Sequence, residues 1–132
     1  MTRYALDPVT LVRLADEGLT PAPDLELVAP NSLRSDALAI VLRRVRAGRT
    51  TERDALELHQ RMTGLRVRLL GDRVSRRTAW DLVVAHGWDD LGDAEYLAVA
   101  RLQADALVAG DPGLVARAAG IVEVADFAVL RA

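Results

Sequence analysis

Arg3-Tyr4-Ala5-Leu6-Asp7-Pro8 reads as a short apolar strand, residues 3–6, that an aspartate and a proline bring to a stop. Asp-Pro is also a standard way to begin a helix: the carboxylate caps free amides, and proline suits the first helical position. The junction returns near the other end, where a buried strand at 106–109 runs through Gly110 into Asp111-Pro112. Working outward, a helix over 8–17 ends at Gly18, and a loop with Pro21 and Pro23 leads to a strand at 25–29 that Pro30 stops. Helices follow over 32–47, with Asn31 or Ser32 as cap, and over 51–63, closed by Gly64. Residues 66–70 alternate Val67 and Leu69 with arginines, a strand pattern. Helices at 74–86 and 93–103 precede the 106–109 strand; a short helix at 112–119, a last strand at 121–124 and a turn at 127–130 complete the chain. Strands parted by helical stretches predict an α/β fold with a mostly parallel sheet of about four to five strands, flanked by helices on both faces. Short loops and the absence of a repeat predict one domain over 1–132.

Composition narrows the function. The 132 residues are 51% hydrophobic and 27% charged, enough to fill a core, so global disorder is excluded. No apolar run approaches the ~20 residues that span a bilayer. Met1–Asp7 lacks a basic stretch followed by an apolar one, so no secretory signal is expected and the cytoplasm is the expected address. With no cysteine, a disulfide framework, a thiolate zinc site and a cysteine nucleophile are all excluded. The net charge of −2 conceals a basic middle: residues 34–77 carry twelve arginines against five acids, while both flanks are acidic. A basic middle between acidic ends fits an anionic polymer meeting a separate acidic site, although a solvated helix face looks the same in sequence.

Ligands of an open α/β sheet gather at the carboxyl ends of its strands. Asp7 and Asp111 stand at two such ends, and Asp93 opens the 93–103 helix; each alone also reads as a helix cap. Asp36 lies inside the 32–47 helix on the edge of its inward stripe, three residues after Leu33 and four before Ile40, where it needs a partner such as Arg43 or a metal. Four converging carboxylates would repel one another, and a hard divalent cation, Mg²⁺ or Mn²⁺, resolves that conflict through oxygen ligands and retained waters.

These motifs resemble the PIN-domain ribonucleases, especially the VapC-type toxins of bacterial toxin–antitoxin pairs. Tyr4-Ala5-Leu6-Asp7 is similar to the family's first strand and first acid. The stretch from Ala29-Pro30 through Asp36 to Arg44 is similar to its second-acid helix. Asp93-Ala94-Glu95-Tyr96-Leu97-Ala98-Val99-Ala100 is similar to its third-acid motif, and Leu107-Val108-Ala109-Gly110-Asp111 to its fourth-acid strand end. Two departures stand out: Asp36 where the family usually has Glu, and Ala109-Gly110 where a Thr or Ser usually precedes the fourth acid. The resemblance implies a PIN-like domain acting as a metal-dependent endoribonuclease, with Asp7, Asp36, Asp93 and Asp111 as catalytic and metal-holding residues and Mg²⁺ or Mn²⁺ as cofactor. It further implies a homodimer, an RNA substrate, and a cognate antitoxin laid in an apolar groove built from residues 11–14 and the helices at 32–47 and 51–63. Arg43, Arg44, Arg76 and Arg77 are the expected RNA-backbone contacts.

Competing readings are a PIN-fold RNA- or protein-binding module with a weakened site, and a response-regulator receiver. The latter requires a lysine opposite its aspartates, and this chain has none. Phosphate-binding glycine loops are absent. Asp89 and Asp90 read as solvated loop, Glu95 as facing away from the site, His59 as without catalytic spacing, His86 as a helix C-terminus, and Trp80 and Trp88 as packing residues.

Overall fold

The computed structural model describes residues 1–131. In chain order the elements are β1 (Thr2–Leu6), α1 (Pro8–Asp16), β2 (Leu25–Pro30), α2 (Leu33–Arg46), α3 (Glu52–Gly64), β3 (Arg68–Leu70), α4 (Arg73–His86), α5 (Gly92–Gln103), β4 (Ala106–Val108) and α6 (Pro112–Ala118), then a 3₁₀ turn at Phe127–Leu130. Local chemistry sets most boundaries. Thr51 accepts from the Asp54 amide to start α3, and Asp72 and Ser75 form a reciprocal capping box at α4. Gly87 ends α4 at φ 68°, a left-handed conformation that costs glycine little.

The strands form one sheet in the order β3-β2-β1-β4, with every pairing parallel. All strand carboxyl ends therefore point the same way, and Asp7 and Asp111 follow adjacent strands. The larger core cluster joins Ala5, Val28 and Leu107 of the sheet to Leu11, Leu33, Val41, Leu58, Met62 and Leu97 of the helices. A smaller cluster packs Leu6, Leu27 and Val108 against Leu14, Phe127 and Leu130. The alternation of Leu107 and Val108 between clusters is the two-residue period of a strand. No helix among the described residues is long and apolar enough to cross a membrane.

Three expectations need correcting. The strand expected at 121–124 reduces to a single bridge between Leu107 and Val124, because the chain turns at Gly120 (φ 78°) and touches β4 only in passing. Residues 11–14 do not offer a docking groove: Leu11, Val12 and Leu14 are all buried in the core. Trp80 is no packing residue, since the outer face of α4 leaves it 58% exposed beside Val84.

Candidate functional site

Asp7, Asp36, Asp93 and Asp111 line one cavity of about 360 Å³ at the carboxyl end of the sheet, together with Ala39, Ile40, Arg43 and Tyr96 among others. Each carboxylate reaches it by a different local route.

Asp7 is fully buried and held without a counter-cation. Its Oδ1 accepts the Thr10 amide at 2.8 Å, capping α1. Its Oδ2 accepts the Gly110 and Asp111 amides at 3.0 and 2.9 Å, tying the end of β1 to the β4–α6 turn. The Thr10 hydroxyl adds a bond to the Val108 carbonyl. The cap reading of Asp7 and its place in the cavity are thus one feature. Glycine at 110 follows from the same crowding: a Cβ there would stand 2.6 Å from Val9 Cγ1. A Thr or Ser at that position has no room beside α1, a physical reason for the departure noted in the sequence.

Asp111 caps α6 by accepting the Leu114 amide, and its other oxygen makes no bond among the described residues. Asp93 departs from expectation, because it is not a cap. The helix begins a residue earlier, at Gly92, with Leu91 at its N-cap, so the Asp93 carboxylate is free to pair with Arg117 of α6 at 3.2 Å. Burial raises the Asp93 carboxyl above the usual 3.8; Arg117 opposes that rise, and the neighbouring charges of Asp111 and Asp90 add to it.

Asp36 pairs with no arginine. Its Oδ2 accepts the Tyr96 hydroxyl at 2.8 Å. Burial, and then donation to the Asp36 carboxylate, push the Tyr96 hydroxyl far above its ordinary 10.0, so it remains a proton donor throughout the neutral range. Replacing Tyr96 with Phe leaves Asp36 untethered at the rim, with an expected stability loss of about 1 kcal/mol by urea denaturation and roughly tenfold lower turnover in any reaction that uses Asp36.

The donor set is entirely carboxylate oxygen, the chemistry of a hard, hydrated cation. Among the described residues no three acidic or histidine side chains are gathered closely enough to grip a metal directly. The cause is visible in the bonds: Asp7 faces its amides, Asp93 its arginine and Asp36 its tyrosine. Among the described residues, three of the four aspartates keep an oxygen without a partner, so the residues fit an ion held partly through its waters.

The predicted arginines divide. Arg43 lines the cavity. Arg76 lines a second cavity of 180 Å³ with Glu95 and Asn31, and donates to the Gly71 carbonyl at 3.4 Å. Arg44 and Arg77 form surface ion pairs with Asp16 and Asp81, each at 3.0 Å. His86 lies at a helix end as expected, and Trp88 stacks on it. Sequence reading passed over Tyr96, Arg117 and Thr10, whose partners lie 60, 24 and 98 residues away; only the position of Tyr96 three residues after Asp93, on the same helix face, could have signalled one of them.

Comparison places this architecture among known ones. No protein-family model matches the chain, and no curated protein does. The crystal structure of PAE2754 from Pyrobaculum aerophilum is similar, with a TM-score of 0.69 and 22% identity over 98% of this chain and 93% of that one. That likeness speaks for the α/β fold.

Proposed function

We propose that this chain is a divalent-cation-dependent endoribonuclease with a PIN-like fold, the toxin of a toxin–antitoxin pair. One observation carries the reading: four aspartates scattered between positions 7 and 111 line a single cavity at the strand ends. Asp7, Asp36, Asp93 and Asp111 would together hold Mg²⁺ or Mn²⁺. When bound, such an ion would supply Lewis-acid charge to stabilise the transition state of phosphodiester hydrolysis.

The chain's own residues supply position. Asp7 is fixed by three amides before any ligand arrives, so ordering it costs nothing at the moment of reaction. Tyr96 keeps Asp36 turned to the cavity. Arg43 at the rim and Arg76 in the second cavity would meet backbone phosphates of a single strand. Each phosphate so neutralised contributes about 0.7 to the log–log salt slope. Exchanging both arginines for alanine is therefore expected to flatten the slope by about 1.4 and weaken filter binding, whereas Arg77→Ala leaves both unchanged.

The partners of the proposal follow the family resemblance. Leu38 and Leu42, exposed on the same helix as Asp36, would take the apolar face of an antitoxin helix, and a homodimer in the cytoplasm is the expected form. Incubating the purified chain with single-stranded RNA and Mn²⁺ tests the core reading. Internal cleavage that EDTA stops supports it. Binding without cleavage supports the weakened RNA-binding module instead.

A further inference from the structure

We propose that Arg117 is the resident counter-cation of the acidic cavity, holding Asp93 through its guanidinium and yielding that carboxylate when a divalent cation enters. The inference rests on the reading of the cavity as a cation site. Among the described residues, Arg117 is the one base ion-paired with any of the four aspartates, through Nη1 at 3.2 Å from Asp93 Oδ2. Arg43 lines the cavity but pairs with none of them.

The arginine is seated on a built platform. Its guanidinium carbon lies 4.7 Å from the centre of the Trp88 ring, and that ring stacks on His86 with centroids 4.7 Å apart. About a third of the Arg117 side chain is exposed, so water and small ions reach the pair.

A hard cation takes carboxylate oxygens at about 2.1 Å, so an ion on Asp93 Oδ2 would stand within about 5 Å of the guanidinium. Two positive charges at that spacing in a partly desolvated cleft compete for one carboxylate. Arginine does not relieve the conflict by losing a proton. An ion that takes Oδ2 therefore displaces Nη1 from it, and the face of Trp88, over which the guanidinium already lies, keeps the freed side chain in place. Arg117 is thus a positioning residue for Asp93, and it sets the cation concentration at which the cavity fills.

Titrating MnCl₂ alone into the full chain by calorimetry tests this on the parent, Arg117→Met and Arg117→Lys. Arg117→Met is expected to bind about fivefold tighter, the equivalent of breaking an ion pair of ~1 kcal/mol, and Arg117→Lys to stay within about twofold of the parent. Parent-like or weaker binding by Arg117→Met overturns the inference and leaves the cation site standing. Absence of Mn²⁺ binding in all three proteins overturns both. Should Arg117→Met fail to fold, the arginine Nε resonances of the parent, with that of Arg117 assigned through Arg117→Lys, carry the test. The Arg117 signal is expected to move along the Mg²⁺ binding curve, and a signal that stays put at saturation overturns the proposal.

Discussion

Asp93→Asn is expected to lower the rate of Mn²⁺-dependent RNA cleavage by at least about a hundredfold while leaving the fold intact. The side chain keeps its shape, loses its charge, and gives up one of the four carboxylates of the cavity. Its structural cost is small, because Asp93 is not a cap and its one partner, Arg117, is partly solvated. Asparagine even relieves the crowding with Asp111 and Asp90 that lifts the Asp93 carboxyl. That lift fixes the sign of a control. A carboxyl whose folded pKa is raised binds its proton more firmly in the folded state, so its destabilising effect is absent at low pH and grows as pH climbs above 3.8 through the raised value. Without divalent cation, the melting temperature of Asp93→Asn relative to the parent is therefore expected to rise from pH 3.5 to 7. A relative fall over that interval would mean that Asp93 is stabilised as a charge by Arg117.

Asp7→Asn is expected to behave differently, losing stability together with activity. Both Asp7 oxygens accept from amides: one from Thr10, the other from Gly110 and Asp111. An asparagine amide offers one oxygen and one NH₂ group, so in either orientation the NH₂ must face a backbone donor. A buried donor left unsatisfied costs about 1–3 kcal/mol. A loss of about 3 kcal/mol is expected, or roughly 10 °C in melting temperature for a domain of this size. Thermal unfolding by circular dichroism checks it, and a shift under about 3 °C would show that the amides find other partners. The contrast matters for interpreting activity: inactivity at position 7 mixes folding with chemistry, whereas inactivity at position 93 isolates chemistry.

The two Asp-Pro junctions made much of this legible in the sequence. A strand end, a cap and a parallel topology follow from local rules, and the structure keeps Asp7 and Asp111 on neighbouring strands for that reason. The helix at 93–103 was legible as a helix, but its start was not. Leu91 offers no capping side chain, so nothing local distinguishes Gly92 from Asp93 as the first residue. The tertiary partners were out of reach. Tyr96 and Asp36, 60 residues apart, meet only once α5 has packed on β1 and β2, and Arg117 finds Asp93 only once α6 has folded back from β4. The last strand failed for a related reason: residues 121–124 have strand composition, but the turn at Gly120 leaves them one bridge of pairing. Arg44 and Arg77 read like Arg43 and Arg76 in sequence. The structure separates them by the acids that pair with Arg44 and Arg77, on α1 and one helical turn away.

A crystal soaked in MnCl₂ and measured at a wavelength where manganese scatters anomalously tests the central claim most directly, that four aspartates form one cation centre. The account predicts an anomalous peak inside the cavity, bonded directly or through one water to Asp7, Asp36, Asp93 and Asp111, with Arg117 released from Asp93 Oδ2 and still over Trp88. An anomalous map with no peak there at millimolar Mn²⁺, or with manganese bound only elsewhere on the surface, would contradict it.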